Sequence, residues 1–238
     1  METFSRVKML IGDKAFDKLA NSSVAVFGVG GVGGYTVEAL ARSGVGKIAV
    51  FDSDTVAKSN LNRQIIATVE NIGRAKVDVI KERVKQINPN AQVQTFNVFY
   101  LPENADEFDL SAYDYVVDAV DTVSAKLEII ERAKKAGVKV ISCMGTGGKT
   151  DPTMLKVANI EKTKGCPLAR VMRRELKDRN ISNVKVVYSE EQTIKNNTVC
   201  GENGKSIPPS MIFVPATAGL ILAREVVFDL INQTGEIK

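Results

Sequence analysis

Short apolar runs and helical periodicities take turns along the first half of the chain. Ser23–Phe27 is a compact apolar run closed by glycine, and Lys47–Phe51 is a second. Runs of that length between turn residues read as buried strands. Residues 34–43 between them read as a helix. Across 74–87 apolar residues stand at 77, 80, 84 and 87, one helical face, and Asn88-Pro89 ends it. Residues 93–96 predict a third strand and 113–120 a buried fourth. A helix over 123–136 follows, with Gly137 as its cap, and 138–142 is the next strand. Strand and helix in strict turn predict a Rossmann-like α/β fold, a mainly parallel central sheet with helices on both faces.

The second half is less regular. Residues 155–160, 184–188 and 211–214 predict additional, partly antiparallel strands that extend the sheet. Helices are expected over 167–177 and 216–230. Residues 190–207 are polar and rich in Asn and Gly, which predicts a mobile loop. With no repeat and no low-complexity linker, 1–238 reads as one continuous domain.

Composition narrows the chemistry. Hydrophobic residues make up 44% of the 238 and charged residues 25%, enough for a core without disulfides. Three cysteines, Cys143, Cys166 and Cys200, contain no CxxC pair, which argues against a thiolate zinc site and fits a reducing compartment. Histidine is absent, so histidine bases and Ser-His-Asp triads are excluded. The start of the chain has no secretory apolar run. The longest uncharged run, 206–223, holds three prolines and meets Arg224 and Glu225. It reads as a strand leading into a helix rather than a membrane span. A soluble, cytoplasmic protein is expected. The net charge is +4, and 161–180 alone carries seven basic and three acidic residues.

Candidate chemistry gathers where strands end. Gly28, Gly30, Gly31 and Gly33 follow the first strand and open a helix, where backbone amides can cradle phosphate. Asp52 ends the second strand, where a carboxylate can accept bonds from ribose hydroxyls. This much fits a nicotinamide dinucleotide as well as ATP. Three further features favour a triphosphate. Ser59-Asn60-Leu61-Asn62-Arg63-Gln64 puts amides and a guanidinium near the phosphates. Arg74 and Lys76 stand in the first turn of a helix, where a cation opposes the dipole unless an anion binds. Asp118 and Asp121 close an apolar strand. Asp118 is expected to turn toward the chain or to cap a helix, leaving Asp121 as the candidate Mg2+ ligand.

These motifs, in this order and spacing, resemble the ubiquitin-activating kind of adenylating family, the ThiF, MoeB and HesA relatives. The resemblance spans about residues 4–145. It implies that Gly31 and neighbouring amides contact the phosphates and that Asp52 holds the ribose. Asn60, Arg63 and Lys76 would bind the triphosphate, with Asn62 and Gln64 in the same cluster, and Asp121 would ligate Mg2+. Phe4-Ser5-Arg6 resembles the family's N-terminal arginine, which implies a homodimer in which Arg6 reaches the partner's ATP. Members that activate sulfur carriers commonly hold zinc in two CxxC pairs, and this chain has none. Its second half (146–238) instead resembles the branch acting on threonylcarbamoyladenosine in tRNA. That resemblance rests on Asp151-Pro152-Thr153, on Pro167-Leu168-Ala169-Arg170 with Arg173 and Arg174, and on Pro215-Ala216-Thr217-Ala218-Gly219. It makes 146–238 the substrate-binding and sheet-completing half and 1–145 the nucleotide-binding half, and it leaves open a sulfur-transfer protein as a partner. Arg170, Arg173, Arg174 and Lys177 share one helical face, suited to RNA phosphates. Adenylation of a ubiquitin-like sulfur carrier and an ATP-binding scaffold without turnover are the competing readings.

Overall fold

The computed structural model describes residues 3–194, 199–200 and 206–231. Two short helices, α1 (Ser5–Ile11) and α2 (Asp13–Asn21), lead into β1 (Ser23–Phe27). Then follow α3 (Gly33–Ser43), β2 (Lys47–Phe51), α4 (Lys76–Ile87), β3 (Gln92–Phe96), β4 (Tyr115–Asp118), α5 (Val123–Lys135) and β5 (Lys139–Cys143). The second half adds β6 (Leu155–Asn159), α6 (Pro167–Asp178), β7 (Lys185–Ser189), β8 (Val199–Cys200), β9 (Ser206–Ile207) and α7 (Phe213–Ile231).

One seven-stranded sheet, ordered β3-β2-β1-β4-β5-β7-β6, runs through both halves. All its pairings are parallel except β6 with β7. The alternating side chains of each strand feed two cores. Val24 and Val26 of β1 pack with α2, α3, α4 and α7 on one face. Ala25 and Phe27 pack with α5 and α6 on the other. The sheet is therefore doubly wound, as the sequence pattern predicts. The strand order reverses between β1 and β4, and ligands of such sheets bind beyond the carboxyl ends at that point.

Two expectations need correction. Residues 211–214 form no strand. Met211, Ile212 and Phe213 are exposed, and α7 begins at Phe213. Pro215 sits in the first helical turn, where its missing N–H costs nothing. Thus α7 starts three residues earlier than its periodicity suggests. The segment 190–207 is also not wholly a loop, because β8 and β9 pair antiparallel within it. Residues 195–198 and 201–205 of it lie outside the described residues. Among the described residues no helix is long and apolar enough to cross a membrane.

Candidate active site

A cavity of about 700 Å³ opens over the strand ends at the switch point. Gly28, Gly30 and Gly31 form its floor beside β1. Gly28 is built for tightness: its φ is +83°, and an added Cβ would lie 2.8 Å from the Ala119 carbonyl oxygen. Gly33 plays a different part and is not among the lining residues. A Cβ there would come within 1.8 Å of the Gly28 carbonyl oxygen, so Gly33 lets α3 start against the end of β1. Asp52 secures the turn from the side. Its carboxylate accepts from the Val29 amide at 2.8 Å and from the Asp54 amide at 2.9 Å. The oxygens keep lone pairs for a ligand hydroxyl, since a carboxylate offers about four acceptor sites.

Both cations expected here line the cavity. Arg63 is held by the Ser59 carbonyl at 2.7 Å and by Asn62 Oδ1 at 2.9 Å. Lys76 is 4% exposed, and its Nζ meets Asp54 Oδ2 at 2.7 Å. Backbone bonds fix it further: Lys76 N–H donates to the Asp54 carbonyl and Val56 N–H to the Arg74 carbonyl. This short antiparallel zipper sets the first residue of α4 under the cavity. Asn60 and Gln64 also line it, both buried. Gln64 Oε1 is a buried acceptor with no hydrogen-bond partner among the described residues, so it can receive a bond from a polar ligand.

Other expected residues stand elsewhere. Asn62 does not line the cavity; its Nδ2 ties the 59–64 turn to the Ser210 carbonyl at 2.9 Å. Arg74 precedes α4 rather than joining its first turn, and it pairs with Glu82, so the dipole argument belongs to Lys76 alone. Arg6 is exposed on α1 and does not line the cavity of its own chain. On α6, Met172 and Leu176 are buried. Arg173 is committed to Thr163, donating to its carbonyl at 2.8 Å and its hydroxyl at 2.7 Å. The open basic face is thus Arg170, Arg174 and Lys177.

Asp121 lies exposed on the cavity lining, and Asp118 is fully buried, turned into the chain. Among the described residues no cluster of three metal-ligating side chains exists. Mg2+ does not need one, because one or two carboxylates plus phosphate oxygens and water suffice. The Asp121 carboxylate fits that role.

The far side of the cavity is built from Pro215 of the quoted Pro215–Gly219 motif and from residues the motifs did not flag: Cys143, Met144 and the Gly145–Gly147 turn after β5, with Ser210. Phe99 and Tyr100, after β3, close the opposite end. Burial raises the Tyr100 hydroxyl to about 12. It also pushes the Cys143 thiol up to about 12, so this cysteine stays protonated at neutral pH. A thiol so shifted has a thiolate fraction of only ~10⁻⁴ at pH 8, too little for a covalent relay. Cys143 of the native protein is therefore expected to resist iodoacetamide at pH 8 and to react once unfolded. Mass spectrometry of its peptide reads this, and rapid native labelling would refute it. Cys166, the N-cap of α6, is likewise buried.

Fold and site together define a doubly wound nucleotide-binding protein, with a glycine cradle and two placed cations for a phosphate-bearing ligand. The chain belongs to the ThiF family, whose model matches residues 4–236. It is 40% identical over 249 aligned residues to the tRNA threonylcarbamoyladenosine dehydratase of Bacillus subtilis, spanning 100% of this chain and 98% of that protein. Its structure resembles the crystal structure of the Escherichia coli tRNA N6-threonylcarbamoyladenosine dehydratase in complex with ATP. The TM-score is 0.89 at 31% identity, covering 99% of this chain and 96% of that one. The same enzyme with AMP matches equally well, again at a TM-score of 0.89.

Proposed function

We propose that this chain uses ATP to dehydrate threonylcarbamoyladenosine in tRNA, closing the modification into a ring. The observation that carries this reading is a cavity joining the cation-bearing glycine cradle to the Gly145–Gly147 turn. Nucleotide and acceptor can meet there, in a chain similar to such dehydratases along its whole length.

In this reading the free carboxylate of the modification attacks the α-phosphorus of ATP, and pyrophosphate leaves. A nitrogen of the same modification then attacks the acyl carbon of the adenylate. The acyl–oxygen bond breaks, AMP departs with one former carboxylate oxygen, and the nitrogen loses its proton. The sum is loss of one water from the nucleoside. No histidine is needed. Gly30 and Gly31 amides receive phosphate oxygens, Arg63 and Lys76 offset their charge, and Asp52 holds the ribose. Such aligned charges supply most of the rate in phosphate chemistry. Mg2+ bound at Asp121 would neutralise phosphate charge. Arg6 would complete the partner's site in a homodimer, a sulfur-transfer protein would assist, and the enzyme would work in the cytoplasm.

The test is mass analysis of the nucleoside after incubating protein, ATP, Mg2+ and threonylcarbamoyladenosine-containing tRNA. The expected result is loss of one water with AMP formed in equal amount. No such loss would overturn the reading, and AMP formation driven instead by a small carrier protein would replace it. Arg170→Glu with Arg174→Glu is expected to weaken tRNA binding about tenfold or more and flatten its salt dependence, with ATP affinity unchanged. Unchanged tRNA affinity would return α6 to an ordinary solvated face.

A further inference from the structure

A lysine is buried beneath this site, away from any expected ligand. Lys126 of α5 is 0% exposed, and so is Asp118 at the end of β4. Lys126 Nζ lies 2.9 Å from Asp118 Oδ2 and donates to the Val120 carbonyl at 3.0 Å. Ser142 Oγ donates to the same Asp118 oxygen at 2.5 Å, from the neighbouring strand β5. Asp118 Oδ1 accepts from the Val120 amide at 3.2 Å. Both peptide groups flanking Val120 are thus gripped by charged side chains from below.

Stability alone does not account for this arrangement. Desolvating two charges costs about as much as their attraction returns, and apolar residues of similar shape often serve as well. The geometry points to the turn itself. Residues 119–122 connect β4 to α5 along the cavity lining, and the Ala119 carbonyl lies so close to Gly28 that a Cβ there would come within 2.8 Å of it. Asp121 is exposed, and among the described residues its carboxylate accepts only a long 3.4 Å bond from Thr122 Oγ1. Its position is therefore set through its backbone, and Lys126 holds the carbonyl of the peptide that carries it.

We propose that Lys126, with Asp118 and Ser142, is a positioning residue that fixes Asp121 for the metal accompanying the bound nucleotide. This rests on the reading of Asp121 as the Mg2+ ligand and not on the identity of the acceptor. It makes the buried pair a support for metal-linked nucleotide binding rather than for the fold.

The experiment is calorimetric titration of the full chain with a non-hydrolysable ATP analogue, with Mg2+ and with EDTA. Asp118→Asn with Lys126→Met removes both charges and leaves none unpaired. It is expected to keep the analogue's affinity in EDTA within about twofold and to lose at least about tenfold of the Mg2+-dependent gain, as Asp121→Asn does. An unchanged gain would overturn the proposal, and so would an equal loss in EDTA, which marks a merely structural pair. Should the double variant not fold, Lys126→Arg carries the same reading. It keeps the charge but moves the donors off the Val120 carbonyl, so the gain falls at least about threefold; an unchanged gain refutes the idea. A wild-type chain with no Mg2+-dependent gain would remove the Mg2+ role of Asp121 itself, and the proposal with it.

Discussion

Lys76→Ala is expected to slow AMP formation by about 10²–10³-fold, the usual loss when one placed electrostatic donor is removed. Lys76 is the first residue of α4, and a cation there opposes the helix dipole by roughly 0.3–1 kcal/mol. The protein nevertheless buries this ammonium against the cavity, with Asp54 as its partner at 2.7 Å. The Asp54 side chain is 64% exposed, so it rehydrates when the lysine is cut back. The fold is therefore expected to survive, with little change in melting temperature, while the phosphate charge loses its counterpart. Single-turnover AMP release measures the effect, and circular-dichroism melting controls for folding. A normal rate would remove Lys76 from the machinery. Lys76→Arg is not expected to rescue, because a planar guanidinium needs different room and different partners.

The parts of the site legible in the sequence are those whose chemistry is local. Glycines after an apolar strand announce a backbone turn, and Asp52 follows from the next strand end. Contacts between distant segments decide the rest. Arg173 looks free on a helical wheel, but Thr163 reaches it from the preceding loop. Asn62 belongs to a ligand-like motif, yet Ser210 claims its amide from 148 residues away. Lys126 breaks the rule that lysine stays in water, and its bonds to Asp118 and the Val120 carbonyl explain it. It could have been suspected, since it lies on the same helical face as Ile130 and Ala133, both buried. The 211–214 run reads as a strand because apolar residues at a helix start look like one. Exposure of Met211 to Phe213 and the proline in the first turn decide between the two only in three dimensions.

Gly33→Ala is expected to cut ATP affinity at least about a hundredfold, although alanine is the better helix former by about 1 kcal/mol. The close approach decides the sign. A Cβ at Gly33 would sit 1.8 Å from the Gly28 carbonyl oxygen and 2.9 Å from its carbonyl carbon, with Ala119 Cβ at 3.2 Å. Two of these three atoms are backbone, so nothing flexible can give way. Either α3 moves off β1 or the glycine turn opens, and overpacking of this kind costs about 1–3 kcal/mol or more. Opening the turn also swings the Gly30 and Gly31 amides off the phosphate position, so binding suffers more than stability. Gly137→Ala is the matched control. Its φ is +70° with open space around the missing Cβ. Only the left-handed backbone is penalised there, by roughly 1–2 kcal/mol. That variant should melt lower yet bind ATP as the wild type does. If Gly33→Ala lost affinity only in proportion to its melting temperature, as Gly137→Ala would, the glycine turn would be a packing device and not the cradle of the nucleotide.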